Sequence, residues 1–527
     1  MASSLARGRR DAAARDIGHT AIGRPLSMLL IAAFCVTALA AGVVQHVATL
    51  RASADSVGDG AWPQPYDVYR LLPTGREIAD ARRTRDLGRV LPSLREITEY
   101  EDALEEESVL DGAILPRAQY ALARYLGLGN EQVYIGRDGE LFYRADVDYV
   151  TGRGFLDPVQ LSLRAASGAS WEDPPAPDPR PALRSLHEAL AARDIALVLL
   201  PVPVKPVVQN HGLVRAGRAG VAHSPSYDGF IASLVADGVH VVDATDSLLA
   251  LDAPYLKTDT HWTPAAMELV AKETVDYLRD SVGLDPLPPV GHSRASTEVV
   301  SAGDVAGMLA LPDSARLVER ERVEIGAVTT ADGEQWTPRR DARVLLLGDS
   351  FSNIYSLGAM GWGEGAGLAE QLSYALQEPV DRIALNDGGA YAARRSLSQE
   401  LARADDRLGN TRAVVYQFAV RELYSGDWRV YEMPTPVESG RNAADREAAA
   451  PGVLVKAVVI ARSSPPAPGS VPYPDCVIAL HLPAVLPEGT GVAPDEAVAF
   501  VWGMRGSEWT RAASIDPGPP VRLRLTP

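Results

Sequence analysis

The chain has 527 residues, 46% apolar and 23% charged, with a formal net charge of −17. That length exceeds one ordinary hydrophobic core and calls for two or three domains, while the composition is that of a globular protein. A surface this negative repels phosphate and argues against a nucleic-acid partner; it leaves room for a neutral or uronic-acid polysaccharide held on a local basic patch.

Residues 1–25 read as a cytoplasmic tail carrying Arg7, Arg9, Arg10, Arg15 and Arg24 against Asp11 and Asp16. The apolar run from Leu26 to Val44 matches the roughly 20 residues of one membrane span, so residues 26–45 are predicted to be a transmembrane signal anchor. The positive flank predicts a cytoplasmic N-terminus, a single pass through the cell membrane and a catalytic domain in the periplasm or outside the cell. The alternative is a signal peptide cut near Ala38-Leu39-Ala40-Ala41; the length of the run favours the uncleaved anchor. No lipobox precedes Cys35. That leaves Cys476 as the one thiol of the exported part, with no internal disulfide, and it reads as a core cysteine.

A linker over 46–65 leads into a domain predicted to span 66–432. Leu91 to Leu104 is amphipathic, and Glu105-Glu106-Glu107 is a solvated face. Gly136-Arg137-Asp138-Gly139 between two short β runs signals a hairpin. After the break at Pro174-Pro175-Ala176-Pro177, helices near 181–193, 226–236, 264–278, 364–377 and 391–406 alternate with strands at Ile195–Val202, Val239–Val242, Arg343–Leu347, Val380–Leu385 and Ala413–Phe418. That alternation predicts an α/β fold: a mostly parallel sheet covered by helices on both faces, with its site at the carboxyl ends of the strands. Residues 284–342 read as irregular, a lid or insert. A second linker, 433–452, precedes helix-free strands that predict a small β-sandwich or barrel over 453–527.

The chemistry concentrates in two segments, Asp259-Thr260-His261-Trp262 and Gly348-Asp349-Ser350-Phe351-Ser352. A serine hydroxyl is too weak a nucleophile unaided; it needs a base in hydrogen-bond reach, itself oriented by a third group. Ser350, His261 and Asp259 fill those roles. Thr263 is an N-cap candidate with Pro264 at the first helical position. Trp262 reads equally as a wall of the site or as a core aromatic. The backbone N–H groups of Ser350 and Phe351, helped by Asn353 or Asn386, are candidate donors to an oxyanion. Lys205 reads either as a carboxylate binder or as a solvated loop lysine, and Arg421 as a binder or as half of an ion pair. No HExxH or cysteine cluster points to a metal, and no cofactor is called for.

On these residues, together with Val133-Tyr134-Ile135-Gly136-Arg137-Asp138-Gly139-Glu140-Leu141-Phe142, Thr258-Asp259-Thr260-His261-Trp262-Thr263-Pro264 and Tyr416-Gln417-Phe418-Ala419-Val420-Arg421-Glu422-Leu423, the chain resembles the AlgJ/AlgX-type alginate O-acetyltransferase family. The likeness runs over about residues 66–430. It implies an SGNH-hydrolase-like domain with Ser350 as nucleophile, His261 as base and Asp259 as its partner, in the order peculiar to the acetyltransferase branch. It also implies a polysaccharide acceptor and a membrane-bound O-acyltransferase that delivers the acetyl group. Glu140 stands where the family often has Trp. Two other readings stay open: an acetyl esterase with the same three groups, and a non-catalytic polysaccharide-binding scaffold. Trp502 and Trp509 in the last domain read as core tryptophans or, alternatively, a sugar-stacking surface.

Overall fold

The computed structural model describes residues 23–34, 44–45, 47, 83, 92–106, 108–168, 173–213, 221–312, 315–386, 388–402, 407–434, 453–466, 476–483, 485–487, 497–505, 508–515, 518 and 520–525. The chain divides into two compact units, Met1–Tyr120 and Ala121–Pro527.

In the first unit residues 24–34 are helical. Among the described residues no helix is long and apolar enough to cross a membrane. Residues 35–43 of the expected anchor, and both expected linkers apart from residue 47 and residues 433–434, lie outside the described residues. Helix α1 (Leu94–Glu106) starts on a capping box: Glu96 N–H donates to Ser93 Oγ at 3.2 Å while Ser93 N–H donates to Glu96 Oε2 at 2.8 Å.

The second unit is mixed α/β. Its elements in chain order are β1 (Val133–Ile135), β2 (Leu141–Tyr143), α2 (Arg144–Thr151), α3 (Pro179–Ala191), β3 (Ala196–Val202), α4 (Tyr227–Ala236), β4 (His240–Val241), α5 (Pro264–Asp280), β5 (Ser293–Ser301), β6 (Glu321–Thr329), β7 (Val344–Gly348), α6 (Ser350–Asn353), α7 (Leu368–Leu376), β8 (Val380–Ala384), α8 (Gly389–Ala402) and β9 (Ala413–Ala419), with shorter helical turns between them. Five strands form one parallel sheet in the order β4-β3-β9-β7-β8. Its central strands, Ala-Leu-Val-Leu-Leu-Pro-Val, Val-Leu-Leu-Leu-Gly and Ala-Val-Val-Tyr-Gln-Phe-Ala, are buried almost throughout because helices cover both faces. This is the predicted sheet, displaced by a residue or two at some ends. The predicted hairpin is β1-β2, with Asp138 and Gly139 at φ 55° and 79° making its turn.

Residues 284–342 differ from expectation. They hold a nine-residue antiparallel pairing of β5 with β6. Strand β5 is Ser-Arg-Ala-Ser-Thr-Glu-Val-Val-Ser and is mostly exposed, so it lacks the alternation by which a half-buried strand is read. A short helix, Asp304–Met308, lies between them and packs Val305 and Leu309 against Val133 and Leu141 of the first hairpin.

Beyond β9 two antiparallel sheets follow. One is β13 (Val485–Pro487), β10 (Val453–Val458) and β16 (Pro520–Leu525); the other is β11 (Ala461–Arg462), β12 (Cys476–Leu482), β14 (Ala497–Arg505) and β15 (Glu508–Trp509). They share a small apolar core of their own, including Val455, Ile478 and Leu480. Two expectations are corrected here. Trp502 and Trp509 are 40% and 59% exposed, not core residues, and Cys476 is only partly buried at the start of β12.

Candidate active site

Gly348 ends β7 and pairs with Ala384 at the end of β8. It must be glycine: a Cβ would collide with the Ser352 side chain, which Gln417 holds through a 2.6 Å bond from Ser352 Oγ to its Oε1. Asp349 follows in extended conformation and caps α6, its Oδ1 accepting from Phe351 N–H at 2.9 Å. The same carboxylate accepts from Gln417 Nε2 at 2.8 Å and, through Oδ2, from Ala419 N–H at 2.9 Å. Ser350 is thereby fixed on the first turn of α6, at the carboxyl edge of the sheet.

The candidate base, His261, comes from a different loop. Tyr255 and Trp262 form an antiparallel bridge, and Leu256 N–H donates to the His261 carbonyl at 3.1 Å, closing 255–262 into a tight hairpin. Thr263 accepts from Ala266 N–H at 3.4 Å and caps α5, with Pro264 just inside, as expected. His261 Nε2 lies 2.9 Å from Ser350 Oγ, and His261 Nδ1 lies 2.6 Å from Asp259 Oδ1. With Nδ1–H donated to Asp259, Nε2 is the acceptor for the serine proton. The Phe351 ring packs 4.7 Å from the imidazole and helps fix its plane.

Two unanticipated residues complete the hold on Asp259. Trp362 Nε1 donates to its Oδ2 at 2.8 Å, and the backbone N–H of Asp304 donates to the same oxygen at 3.0 Å. Trp362 is fully buried between Gly361 and Gly363, whose φ of 82° and 90° turn the chain back on itself. The Gly-Trp-Gly-Glu-Gly string was the available signal. Asp304 belongs to the insert, and no sequence pattern marks it. Its carboxylate accepts from Thr260 N–H at 2.8 Å and from Thr260 Oγ1 at 2.7 Å, and sits 3.7 Å from His261 Nδ1.

The electrostatics follow. Burial alone would raise the Asp259 pKa, but the imidazole and the hydrogen bonds from His261, Trp362 and Asp304 hold it far below the carboxylate range. Burial would lower the His261 pKa; Asp259, then Asp304, overcome it and raise it above 6.5. Asp304 is pushed up to about 6 by burial and then by the Asp259 charge. Ligand atoms of Asp259, His261 and Asp304 lie within 4.8 Å of one another. Both imidazole nitrogens are already engaged, however, one by a carboxylate and one by a hydroxyl. That donor set fits a proton relay better than a cation site.

Several expected site residues do other work. Phe351 N–H is committed to Asp349, so it is not an oxyanion donor. Ser350 N–H makes no hydrogen bond to a described residue. Asn353 Nδ2 donates to the Ala384 carbonyl at 3.1 Å and to Asn386 Oδ1 at 2.8 Å, while Asn386 Nδ2 points to Met360 Sδ at 3.0 Å; the pair braces the sheet edge. Lys205 is buried and donates to the carbonyls of Leu141, Leu256 and Lys257 at 2.8, 2.8 and 2.7 Å, so it is neither a substrate binder nor a solvated lysine. Burial pulls its pKa down to about 8 against the nearby carboxylates. Arg421 pairs with Asp146 at 3.0 Å, as the ion-pair reading expects, and lies over the Phe351 ring at 5.5 Å. Trp262 is a core residue: it is fully buried and donates to the Phe351 carbonyl at 3.1 Å, tying the base loop to α6.

Known proteins resemble this chain in sequence. Residues 133–420 match the family described as "SGNH hydrolase-like domain, acetyltransferase AlgX". Over 178 residues the chain is 30% identical to "Probable alginate O-acetylase AlgJ" of Pseudomonas aeruginosa, a stretch that covers 33% of this chain and only 44% of that relative. Among solved structures it is similar to the O-acetyltransferase domain of Pseudomonas putida AlgJ, at 20% identity and a TM-score of 0.40, covering 60% of this chain and 99% of that one. For Pseudomonas aeruginosa AlgX the figures are 18% identity, 64% and 73% coverage and a TM-score of 0.38.

Proposed function

Because the chain belongs to the family of AlgX-type SGNH hydrolase-like acetyltransferase domains, its residues 133–420 matching that family, we propose that it is an O-acetyltransferase acting through Ser350. The observation that carries this reading is the unbroken hydrogen-bonded series from Ser350 Oγ through His261 to Asp259. His261 Nε2 takes the Oγ proton as Oγ bonds to the acetyl carbon of a donor. The tetrahedral oxyanion meets Ser350 N–H, which has no other described partner. Collapse expels the donor's leaving group, which receives the proton from Nε2. An acceptor hydroxyl then attacks the acetyl-serine and gives its proton to Nε2; as this second tetrahedral intermediate collapses the Ser350 Oγ–acyl bond breaks, Nε2 returns the proton to Oγ, and the acceptor leaves as the acetyl ester. Asp259 keeps Nδ1–H in place and stabilises the transient imidazolium.

The acceptor is an alginate-like exopolysaccharide, the substrate named for the relative in Pseudomonas aeruginosa. Acetyl donor chemistry lies inside the cell, so a membrane-bound O-acyltransferase partner relays it. Residues 26–45 anchor the protein with its catalytic domain on the extracytoplasmic side. The test is to incubate the protein with an acetyl ester and mannuronate oligosaccharides, weigh the sugars, and map an acetylated peptide. Mass gain on the sugar and acetyl on Ser350 are expected. Free acetate with no acetylated sugar would replace transfer by hydrolysis. Release from the membrane fraction on removal of residues 1–45 checks the anchor.

A further inference from the structure

The oxyanion of the proposed reaction has a single donor so far, whereas such sites ordinarily converge several. Phe351 N–H belongs to Asp349, and the side-chain amides of Asn353 and Asn386 are engaged at the sheet edge, which leaves Ser350 N–H. The carboxyl end of β9 supplies another cation-borne donor. Strand β9 lies beside β7, with Tyr416 opposite Leu347, and Ala419 N–H donates to Asp349 across that end. Arg421 stands two residues further on, so its backbone emerges next to the turn that bears Ser350. Its guanidinium lies against two rings, 5.6 Å from Tyr143 and 5.5 Å from Phe351, the residue after the serine. Phe351 in turn packs 4.7 Å from the imidazole. Burial and Arg421 both oppose the charged form of His261, which Asp259 and Asp304 favour, so the guanidinium is electrostatically part of the site.

The ion pair with Asp146 uses only part of this group. Nη1 donates to Asp146 Oδ1 at 3.0 Å, and Asp146 is carried by α2. A guanidinium presents several further N–H groups in the same plane. Nε and Nη2 have no hydrogen-bond partner among the described residues, and 14% of the Arg421 side chain stays exposed over a carboxylate that is 1% exposed. A pair made for stability alone would set the fork on both carboxylate oxygens. Here the contact is through one oxygen, and Asp146 Oδ2 is buried with no partner. The fork is thus turned away from its best grip on Asp146, with its remaining donors left open at the edge of the sheet that holds the serine.

We propose that Arg421 is a second donor to the acetyl oxyanion, an inference that rests on the acyl-serine reading above. As Ser350 Oγ bonds to the acetyl carbon, the carbonyl π pair moves onto the acetyl oxygen, which accepts from Ser350 N–H and from a free guanidinium N–H. On collapse that pair returns to re-form the carbonyl and the leaving group departs; the guanidinium gives up no proton and stays charged throughout. Asp146 and the two rings hold the fork in place beforehand, so little has to reorganise when the negative charge develops.

Hydrolysis of an aryl acetate by the full chain reads this step without a sugar acceptor. Arg421→Gln lowers kcat about 10²- to 10³-fold, the scale for losing one oxyanion donor, while KM moves by about threefold or less. Inhibition by an alkylboronic acid, which forms an anionic tetrahedral adduct on a serine, weakens by a similar factor. Arg421→Lys recovers part of the loss, and Arg421→Ala regains turnover when guanidinium chloride is added at concentrations far below denaturing but not when sodium chloride is. Asp146→Asn breaks the same ion pair yet leaves the guanidinium, and costs about tenfold or less. Equal losses in Asp146→Asn and Arg421→Gln, with boronate affinity untouched and no rescue by guanidinium, overturn the proposal and reduce Arg421 to a structural partner. Loss of hydrolysis in the Arg421 variants, in a protein that acetylates no sugar, keeps the oxyanion role and removes transfer alone. Undiminished hydrolysis by Ser350→Ala removes the acyl-serine reading, and this role with it.

Discussion

Two buried aspartates flank Ser350 and are held in opposite ways. Asp349 accepts three hydrogen bonds from neutral groups, the Phe351 and Ala419 N–H groups and the Gln417 amide. Asp259 accepts from Trp362, from Asp304 N–H and from the imidazole itself. The first carboxylate ties two strand ends and a helix together; its charge faces backbone dipoles. The second faces a titratable ring, so its charge is felt at the reacting atoms. A buried acid serves shape or chemistry according to whether one of its partners can change protonation state.

The contrast can be broken by substitution. Ser350→Ala is expected to lower acetyl-ester turnover about 10⁴-fold or more with the melting curve nearly unchanged; His261→Ala should lose as much turnover and also lower stability, because it strips buried Asp259 of its imidazole partner. Asp259→Asn keeps the shape but loses the imidazolium's counter-charge, and turnover should fall about 10²- to 10⁴-fold. Asp349→Ala should instead cost about 2–4 kcal/mol of folding stability by leaving several buried donors unpaired, read as a lower denaturant midpoint. A variant at Asp349 that keeps its stability yet loses as much turnover as Asp259→Asn would erase the distinction.

The pH profile sharpens it. Under the proposed mechanism only neutral His261 accepts the serine proton, and its pKa is raised, so turnover should fall with acid along a limb whose midpoint lies above 6.5. Asp259→Asn should move that limb down. Stability runs with its own signs. The raised His261 pKa contributes stability fully below 6.5, lost as pH climbs through the folded value; the depressed Asp259 pKa contributes stability above 3.8, lost as pH falls through the folded value. Trp362→Phe removes one donor to Asp259 while keeping most of the ring; a turnover loss of about tenfold is expected. The smallest effect is at Asp304→Asn: turnover within a few-fold, with the acid limb shifted slightly down because one negative neighbour of His261 is gone.

Legibility in the sequence tracked burial. Strands β3, β7 and β9 are covered on both faces and appear as apolar runs interrupted only by Gln417 in β9, so the sheet and the loop bearing Ser350 could be read directly. His261 and Asp259 were legible because a cap, Thr263-Pro264, marks the helix that follows them. Asp304 was not: it sits in an insert whose first strand is wet on both faces, so no periodicity reveals either the strand or its neighbour. Gly303, which a Cβ would drive into the Thr258 carbonyl, looks like any turn glycine until the fold brings those segments together. Lys205 and the two asparagines misled for a related reason. Polar residues after strands are usually solvated, and only the packing engages their donors internally. The exposed Trp502 and Trp509 err in the other direction, since aromatic content alone says nothing about which sheet face meets water.

Lys205 has one more bearing, on where the chain can be shortened. Its ammonium joins Leu141, in the opening hairpin, to Leu256 and Lys257, two residues ahead of Asp259. The same hairpin buries Val305 and Leu309, next to Asp304. The first strand pair is thus a brace under both halves of the base assembly, not a detachable preface to the sheet. A fragment that starts at α2 would retain every reacting atom yet lack the clamp that aligns them, so the smallest competent catalytic piece should begin at or before Val133.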